Sequence, residues 1–314
     1  MKSLVQKFSY FLVFLLISCT NTQERKVNNS FEIPVRAFLI TIWIALIMAS
    51  CGEPLIDTTG TFVVIENPAV SPDGKWITFA SLVFGDTFNF VPHSQYIVSI
   101  DGTEENLLFR KRSEAGTSSC WSPDGRQIVT SHGIYTIENK MVTDFRAKSS
   151  DMHLYNISDW SPDGKALLSY FGTKVFLCDT LFENIRELPF RAFHPRWMPD
   201  GNHIIGEMWS TGWAGTEIGI TDTLCSYMVR LTNRNINETY YNPVPSPDGK
   251  MITFYKFNGV YVMNSDGTNQ QFLCAGRYPA WTPDSKHIVY EQSGVWKTTL
   301  DGKEKIQITD ISKY

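Results

Sequence analysis

Ser71-Pro72-Asp73-Gly74 decides the reading of this chain, because the phrase returns five more times. The copies are Ser122-Pro123-Asp124-Gly125, Ser161-Pro162-Asp163-Gly164, Met198-Pro199-Asp200-Gly201, Ser246-Pro247-Asp248-Gly249 and Thr282-Pro283-Asp284-Ser285. Their prolines stand 51, 39, 37, 48 and 36 residues apart. Proline presets φ for a turn, aspartate bonds its own local backbone, and glycine accepts a positive φ. Each copy therefore predicts a tight reversal between two strands.

The flanks agree as well as the turns do. Two residues before the proline stand Trp121, Trp160, Trp197 and Trp281, with Val70 and Pro245 in the other copies. Five residues after it stand Ile77, Ile128, Leu167, Ile204, Ile252 and Ile288, aliphatic every time. These are the expected buried anchors of the two strands. Alternation of period two continues downstream, as in Met251-Ile252-Thr253-Phe254, and marks half-buried strands. Third strands are expected at Ile134–Ile137, Val175–Cys178 and Val260–Met263. Asp101-Gly102, Asp266-Gly267 and Asp301-Gly302 then predict type I′ hairpins into fourth strands such as Gln271–Leu273 and Lys305–Ile308. Four strands per repeat, six repeats and a period near forty predict an all-β fold, a six-bladed β-propeller of four-stranded antiparallel blades.

Trp160–Lys165 and Val260–Gly267 carry a more specific likeness. The phrase W-S-P-D-G-K-x-I followed by I-Y-V-M-N-x-D-G resembles the WD40-like repeat of TolB-type propellers. The resemblance spans about residues 66–314 and implies the fold. It does not extend to the α/β domain that precedes the TolB propeller, since the stretch from Cys51 to Asn67 is too short to hold one.

The leader holds two export signals. Lys2 and Lys7 precede an apolar run and Leu16-Ile17-Ser18-Cys19; Arg36 precedes a second run and Met48-Ala49-Ser50-Cys51. Both endings resemble a bacterial lipobox, and both runs fall short of the roughly 18–20 residues of a spanning helix. Cleavage before Cys51 leaves no apolar run in the mature chain, so Cys51 is the expected lipidated residue and Cys19 the alternative. The organisation expected is a signal region over 1–51, a linker and closing strand over 52–65, and a propeller over 66–314. Thr61–Ile65 are expected to clasp the last blade. The chain is read as exported and tethered to the bacterial envelope through lipid, on the periplasmic side or the cell surface.

Charge excludes one class of partner. The whole chain carries −4, and residues after the leader hold 23 basic against 30 acidic side chains. With no basic run, nucleic acid is not an expected partner. The four cysteines beyond the leader (Cys120, Cys178, Cys225, Cys274) lack metal or disulfide spacing and read as buried or partly buried thiols.

Candidate binding residues sit where loops vary. Trp209 and Trp213 flank a glycine-containing loop and offer a stacking platform to a sugar or a partner's apolar side chain. Tyr240 and Tyr241 close the connection into the fifth repeat. Five residues before each proline stand Asn67, Ser118, Ile157, His194, Asn242 and Tyr278. Repeat symmetry places them near the channel mouth, where His194, Asn242 and Tyr278 are expected to converge on a small ligand. Asp159 and Arg196 share one repeat position in consecutive repeats and are expected to pair. TolB-like lyases of pectin fragments use channel histidines to hold a metal; that resemblance reaches only His194, with His153 four residues out of place. No metal or cofactor is expected. No G-x-S-x-G elbow, phosphate loop or H-E-x-x-H motif occurs. The leading reading is a non-catalytic envelope lipoprotein that binds a protein or ligand; the alternative is a carbohydrate-binding or polysaccharide-processing propeller.

Overall fold

In a computed structural model of the protein, the described residues are 62–84, 92–112, 118–130, 133–143, 156–209, 215–233 and 238–313. Nearly all of them are strand or turn, and the strands form antiparallel four-stranded arrays. The first array holds β1 (Phe62–Val70), β2 (Trp76–Phe84), β3 (Pro92–Ser99) and β4 (Glu105–Arg112). The second holds β5 (Ser119–Trp121), β6 (Gln127–Thr130), β7 (Gly133–Thr136) and β8 (Met141–Thr143). The third runs through β9 (Asn156–Trp160), β10 (Ala166–Phe171), β11 (Lys174–Asp179) and β12 (Ile185–Trp197).

Strand β12 serves twice. Its first half pairs with β11, and its second half, from Ala192 to Trp197, pairs with β13 (His203–Trp209). The fourth array continues through β14 (Thr216–Asp222) and β15 (Met228–Arg230). The fifth holds β16 (Tyr241–Pro245), β17 (Met251–Lys256), β18 (Gly259–Asn264) and β19 (Gln271–Ala275). The sixth holds β20 (Arg277–Trp281), β21 (His287–Glu291), β22 (Gly294–Thr299) and β23 (Lys305–Asp310).

Each Pro-Asp-Gly phrase joins the first strand of an array to its second. In the first copy Ser71 Oγ donates to Asp73 Oδ1 at 2.6 Å, and Asp73 Oδ1 accepts from the Lys75 N–H at 3.1 Å. The Trp76 N–H reaches Ser71 Oγ at 2.9 Å, while Gly74 closes the turn at φ 71°. Ser285 stands for glycine in the last copy and still adopts φ 58°. The six aliphatic anchors are all fully buried.

The Asp-Gly hairpins differ from expectation. Only the glycine has positive φ (75°, 87° and 69° at Gly102, Gly267 and Gly302), so they are not type I′ turns. Ser99 Oγ bonds Asp101 at 2.6 Å and Thr299 Oγ1 bonds Asp301 at 2.6 Å. Two hairpins thus reuse the Ser/Thr-x-Asp-Gly device of the first turn, while in the third Asn264 holds that place and Thr268 Oγ1 donates to Asp266 at 2.6 Å; a left-handed aspartate is needed in none of them.

The expected clasp is also corrected. Residues 62–65 begin β1 and pair with Ser81–Phe84 of β2, not with the last array; Thr61 lies outside the described residues. First and last arrays meet instead through side chains: Ile65, Ile77, Phe79 and Val98 pack with Val289, Val295, Ile308 and Ile311. The first strands touch in a cycle, β1 to β5, β9, β12, β16, β20 and back to β1. Cys120, Cys178 and Cys274 are buried and Cys225 half-buried, all as free thiols.

Candidate functional site

Four first strands carry the same irregularity at the same place. Asn67, His194, Asn242 and Tyr278 adopt φ of 51°, 45°, 47° and 50°, each directly before a proline (Pro68, Pro195, Pro243, Pro279) and each within a break in pairing register. A bulge of this kind re-aims the neighbouring side chains, and it falls at the strand end away from the Pro-Asp-Gly turn. The two repeats with serine after this position, Ser118-Ser119 and Ile157-Ser158, lack the positive φ.

The bulged residues bring a belt of polar side chains together. In the fourth array Glu207 is 2% exposed, and its Oε1 accepts from His194 Nδ1 and from the Asn242 backbone N–H, each at 2.5 Å. The second bond crosses to the fifth array. The His194 ring meets Tyr170 of the third array edge-on at 5.2 Å. From Asn242 the belt continues through its neighbour Tyr241, which stacks on Tyr255 at 5.1 Å; Tyr255 meets Tyr278 of the sixth array at 5.4 Å. Tyr278 donates to Glu66 Oε1 of the first array at 3.3 Å. One chain of contacts therefore crosses five arrays.

Burial sets its electrostatics. Burial, and after it the Glu207 carboxylate, raises the Tyr170 phenol; burial and Glu207 do the same at Tyr255, and burial and Glu66 at Tyr278. All three stay neutral phenols. Arg277 bonds Glu291 at 3.3 Å, and burial raises that carboxyl's pKa against the pull of the guanidinium. Asp159 and Arg196 do pair, at 3.8 Å, with Arg196 Nη1 also donating to Ser158 O at 2.6 Å and Asp159 accepting from the Trp197 N–H at 2.8 Å.

The belt is not fully satisfied internally. Asn242, 2% exposed, has no partner for Oδ1. Among the described residues, the Tyr170 and Tyr255 hydroxyls make no hydrogen bond either. No group of three His, Cys, Asp or Glu among the described residues is arranged to hold a metal.

Of the sequence candidates, His194, Asn242, Tyr241 and Tyr278 meet in the belt. Tyr240 does not: it is 3% exposed, packed in the core between the fourth and fifth arrays, with its hydroxyl on Glu238 at 2.7 Å. An aromatic ring beside a sheet gains more from burial than from display. Trp209 ends β13 and its side chain lies outside the described residues, as do Trp213, His153, Cys19 and Cys51.

Sequence reasoning missed Tyr170, Glu207, Tyr255 and Glu291. Their signal was present: all four stand eight residues after a turn proline, where Ala80 and Ser131 fill the other copies. A polar residue at one fixed offset in an otherwise apolar strand marks a lining position.

No family model and no curated protein matches the sequence. Solved structures do match. A putative TolB from Agrobacterium tumefaciens is 21% identical, with a TM-score of 0.52 over 71% of this chain and 87% of that one. An oligogalacturonate lyase in complex with manganese is 11% identical, at 0.51 over 81% and 82%. The tricorn protease is 16% identical at 0.52; 78% of this chain matches it, spanning 26% of its length. At these identities the likeness speaks for the fold, which is a TolB-like β-propeller.

Proposed function

We propose that this protein is an exported, lipid-anchored, non-catalytic binding module, and that the polar belt is its ligand-contacting end. The six arrays act as six blades, a reading supported by the cyclic order of their first strands. The observation that carries the binding role is the unspent hydrogen-bonding capacity of Asn242 Oδ1, buried within the belt with no partner. A buried polar group left unpaired costs about 1–3 kcal/mol, which a ligand's donors and acceptors would offset. Three pairs of ionisable side chains engage each other: Arg277 with Glu291, Arg196 with Asp159, His194 with Glu207. None is poised as a base beside a nucleophile.

A carbohydrate ligand is the second reading, favoured by the rings of Tyr241, Tyr255 and Tyr278 lying beside Glu66 and Glu207. Aromatic faces and carboxylate acceptors together suit the two sides of a sugar ring. The manganese of the lyase is not carried over: among the described residues no group of three His, Cys, Asp or Glu gathers around His194 to hold a metal.

The full chain in detergent, used as bait on an envelope extract, is expected to retain a specific protein that Tyr170→Phe/Tyr255→Phe releases. Retention unchanged by that pair would move the interface off the belt. Oligosaccharide binding on a glycan array, lost in the same variant, would establish the second reading instead. Labelled palmitate is expected in the wild type and in Cys19→Ser but not in Cys51→Ser; the reverse pattern would move the anchor to Cys19.

A further inference from the structure

The fourth turn is the one copy with no hydroxyl at its first position. Ser71, Ser122, Ser161, Ser246 and Thr282 each donate to the aspartate of their own turn, at 2.6–2.7 Å. Met198 has nothing to donate, and Asp200 takes other donors. Its Oδ1 accepts from the Asn202 and His203 N–H groups at 2.8 and 3.1 Å, and its Oδ2 lies 2.6 Å from His203 Nδ1. The far side of that ring is engaged too: His203 Nε2 lies 2.7 Å from the Tyr227 hydroxyl. Tyr227 ends the connection from β14 to β15, where Thr221 Oγ1 donates to its carbonyl at 2.5 Å. A carboxylate, an imidazole and a phenol therefore stand in series at the turn-bearing end of the fourth array.

Counting protons assigns each a role. Burial works against the charge on Asp200, but hydrogen bonds from the Asn202 N–H and from His203 hold its pKa low. A carboxylate only accepts, so Nδ1 carries the ring proton and Nε2 of the neutral ring is left as an acceptor. The Tyr227 hydroxyl then donates to it. A hydroxyl that donates to a base oriented by a carboxylate is an activated nucleophile. Asp222 stands opposite His203 across the β13–β14 pair, and the Ser226 hydroxyl lowers its pKa and keeps it charged. Two carboxylates thus stabilise the imidazolium that forms when the phenol proton arrives. In the sixth array His287 has the same spacing from Asp284, but at 3.8 Å, and among the described residues no hydroxyl meets its ring. The tyrosine is what the fourth array adds.

The surroundings select the electrophile. Tyr227 is 46% exposed, and Leu224 and Met228 on the same hairpin expose apolar side chains that suit an acyl chain. Asp200 and Asp222 outweigh one cation, Arg186, which reaches the hairpin at Cys225. That balance disfavours an anionic phosphoryl group. Cys225, the competing nucleophile, is held as a thiol by burial and after it by Asp222, which raise its pKa.

We propose that Tyr227 is a nucleophilic tyrosine that accepts an acyl group from an activated ester or thioester. His203 is its general base and Asp200 the positioning residue. The phenol oxygen bonds the carbonyl carbon and the bond from that carbon to the leaving group breaks. The phenol proton passes through His203 Nε2 to the departing alcohol or thiol, leaving an aryl ester on Tyr227. No electron is gained or lost. The site lies at the opposite end of the strands from the polar belt and stands independently of it.

Treating the full chain in detergent with p-nitrophenyl butyrate, quenching in acid and mapping adducts by peptide mass spectrometry tests it. One butyryl group is expected on Tyr227, formed at least about tenfold faster than in His203→Gln, which keeps an acceptor but takes no proton. The wild-type rate should be level from about pH 7.5 to 9, where an unassisted phenol, ionising near about 10, still climbs. His203→Gln should show that climb. Cys225→Ser should keep the adduct, and Asp284→Asn/His287→Gln should leave the rate unchanged. An unlabelled Tyr227, an equal rate in His203→Gln, loss of the adduct in Cys225→Ser, or a wild-type rate that climbs like a bare phenol would overturn the proposal. Site mapping and the pH profile are read on the unsubstituted chain, so they decide the matter even where a variant unfolds.

Discussion

At the residue scale, one local device recurs through the molecule: a Ser or Thr hydroxyl and a backbone N–H converge on an aspartate, and a left-handed residue closes the turn. Its electrostatic trace is the lowered pKa of the turn aspartates, reaching about 2 at Asp101 and Asp301, where the first cause is the Ser99 or Thr299 hydroxyl. A carboxyl whose folded pKa lies below its unfolded value adds stability that is full above the unfolded pKa and is lost as pH falls through the folded one. Stability is therefore expected to hold from pH 7 to about 4 and to decline between about 4 and 2. Asp101→Asn/Asp301→Asn should be less stable than the wild type at pH 7 and show a shallower decline. Urea midpoints across that range check it; parallel curves would mean the two carboxyls do not contribute.

At the element scale, the two kinds of turn look alike in sequence and differ in surroundings. Gly164 stands in the left-handed region with nothing near the place of a Cβ. Gly267 has the same backbone, yet a Cβ there would lie 2.1 Å from the Leu231 carbonyl oxygen of the preceding array. Gly102 and Gly302 likewise abut Ile308 O and Leu273 O at 2.5 Å. The hairpin glycines thus let neighbouring arrays approach backbone to backbone. Gly164→Ala is expected to cost about 1–2 kcal/mol for the left-handed φ alone. Gly267→Ala should cost about 1–3 kcal/mol beyond that for the overlap. Equal costs by chemical denaturation would show that the array contact yields freely.

At the scale of the whole molecule, the join between first and last arrays depends on side-chain packing and not on an added strand. Ile65 is fully buried among residues of both arrays. Ile65→Ala is expected to lower stability by about 2–5 kcal/mol through lost contacts and a residual cavity. A change below about 1 kcal/mol would mean that this seam repacks.

The repeat itself was legible because turn chemistry is local. Serine, proline, aspartate and glycine each act within four residues, and a strand alternates with a period that sequence displays directly. So the strand order, the antiparallel arrays and the six aliphatic anchors followed from the chain alone, and the ring residues His194, Asn242 and Tyr278 could be named by offset. The belt needed the tertiary structure. Whether Tyr240 or Tyr241 faces the core depends on which array packs against it, and Glu207 acquires its role only when Asn242 arrives from the next repeat. The closing contact at Ile65 and the hairpin glycines against neighbouring backbones were decided in the same way. Each depends on the fit between residues far apart in sequence, and no window along the chain carries that distance.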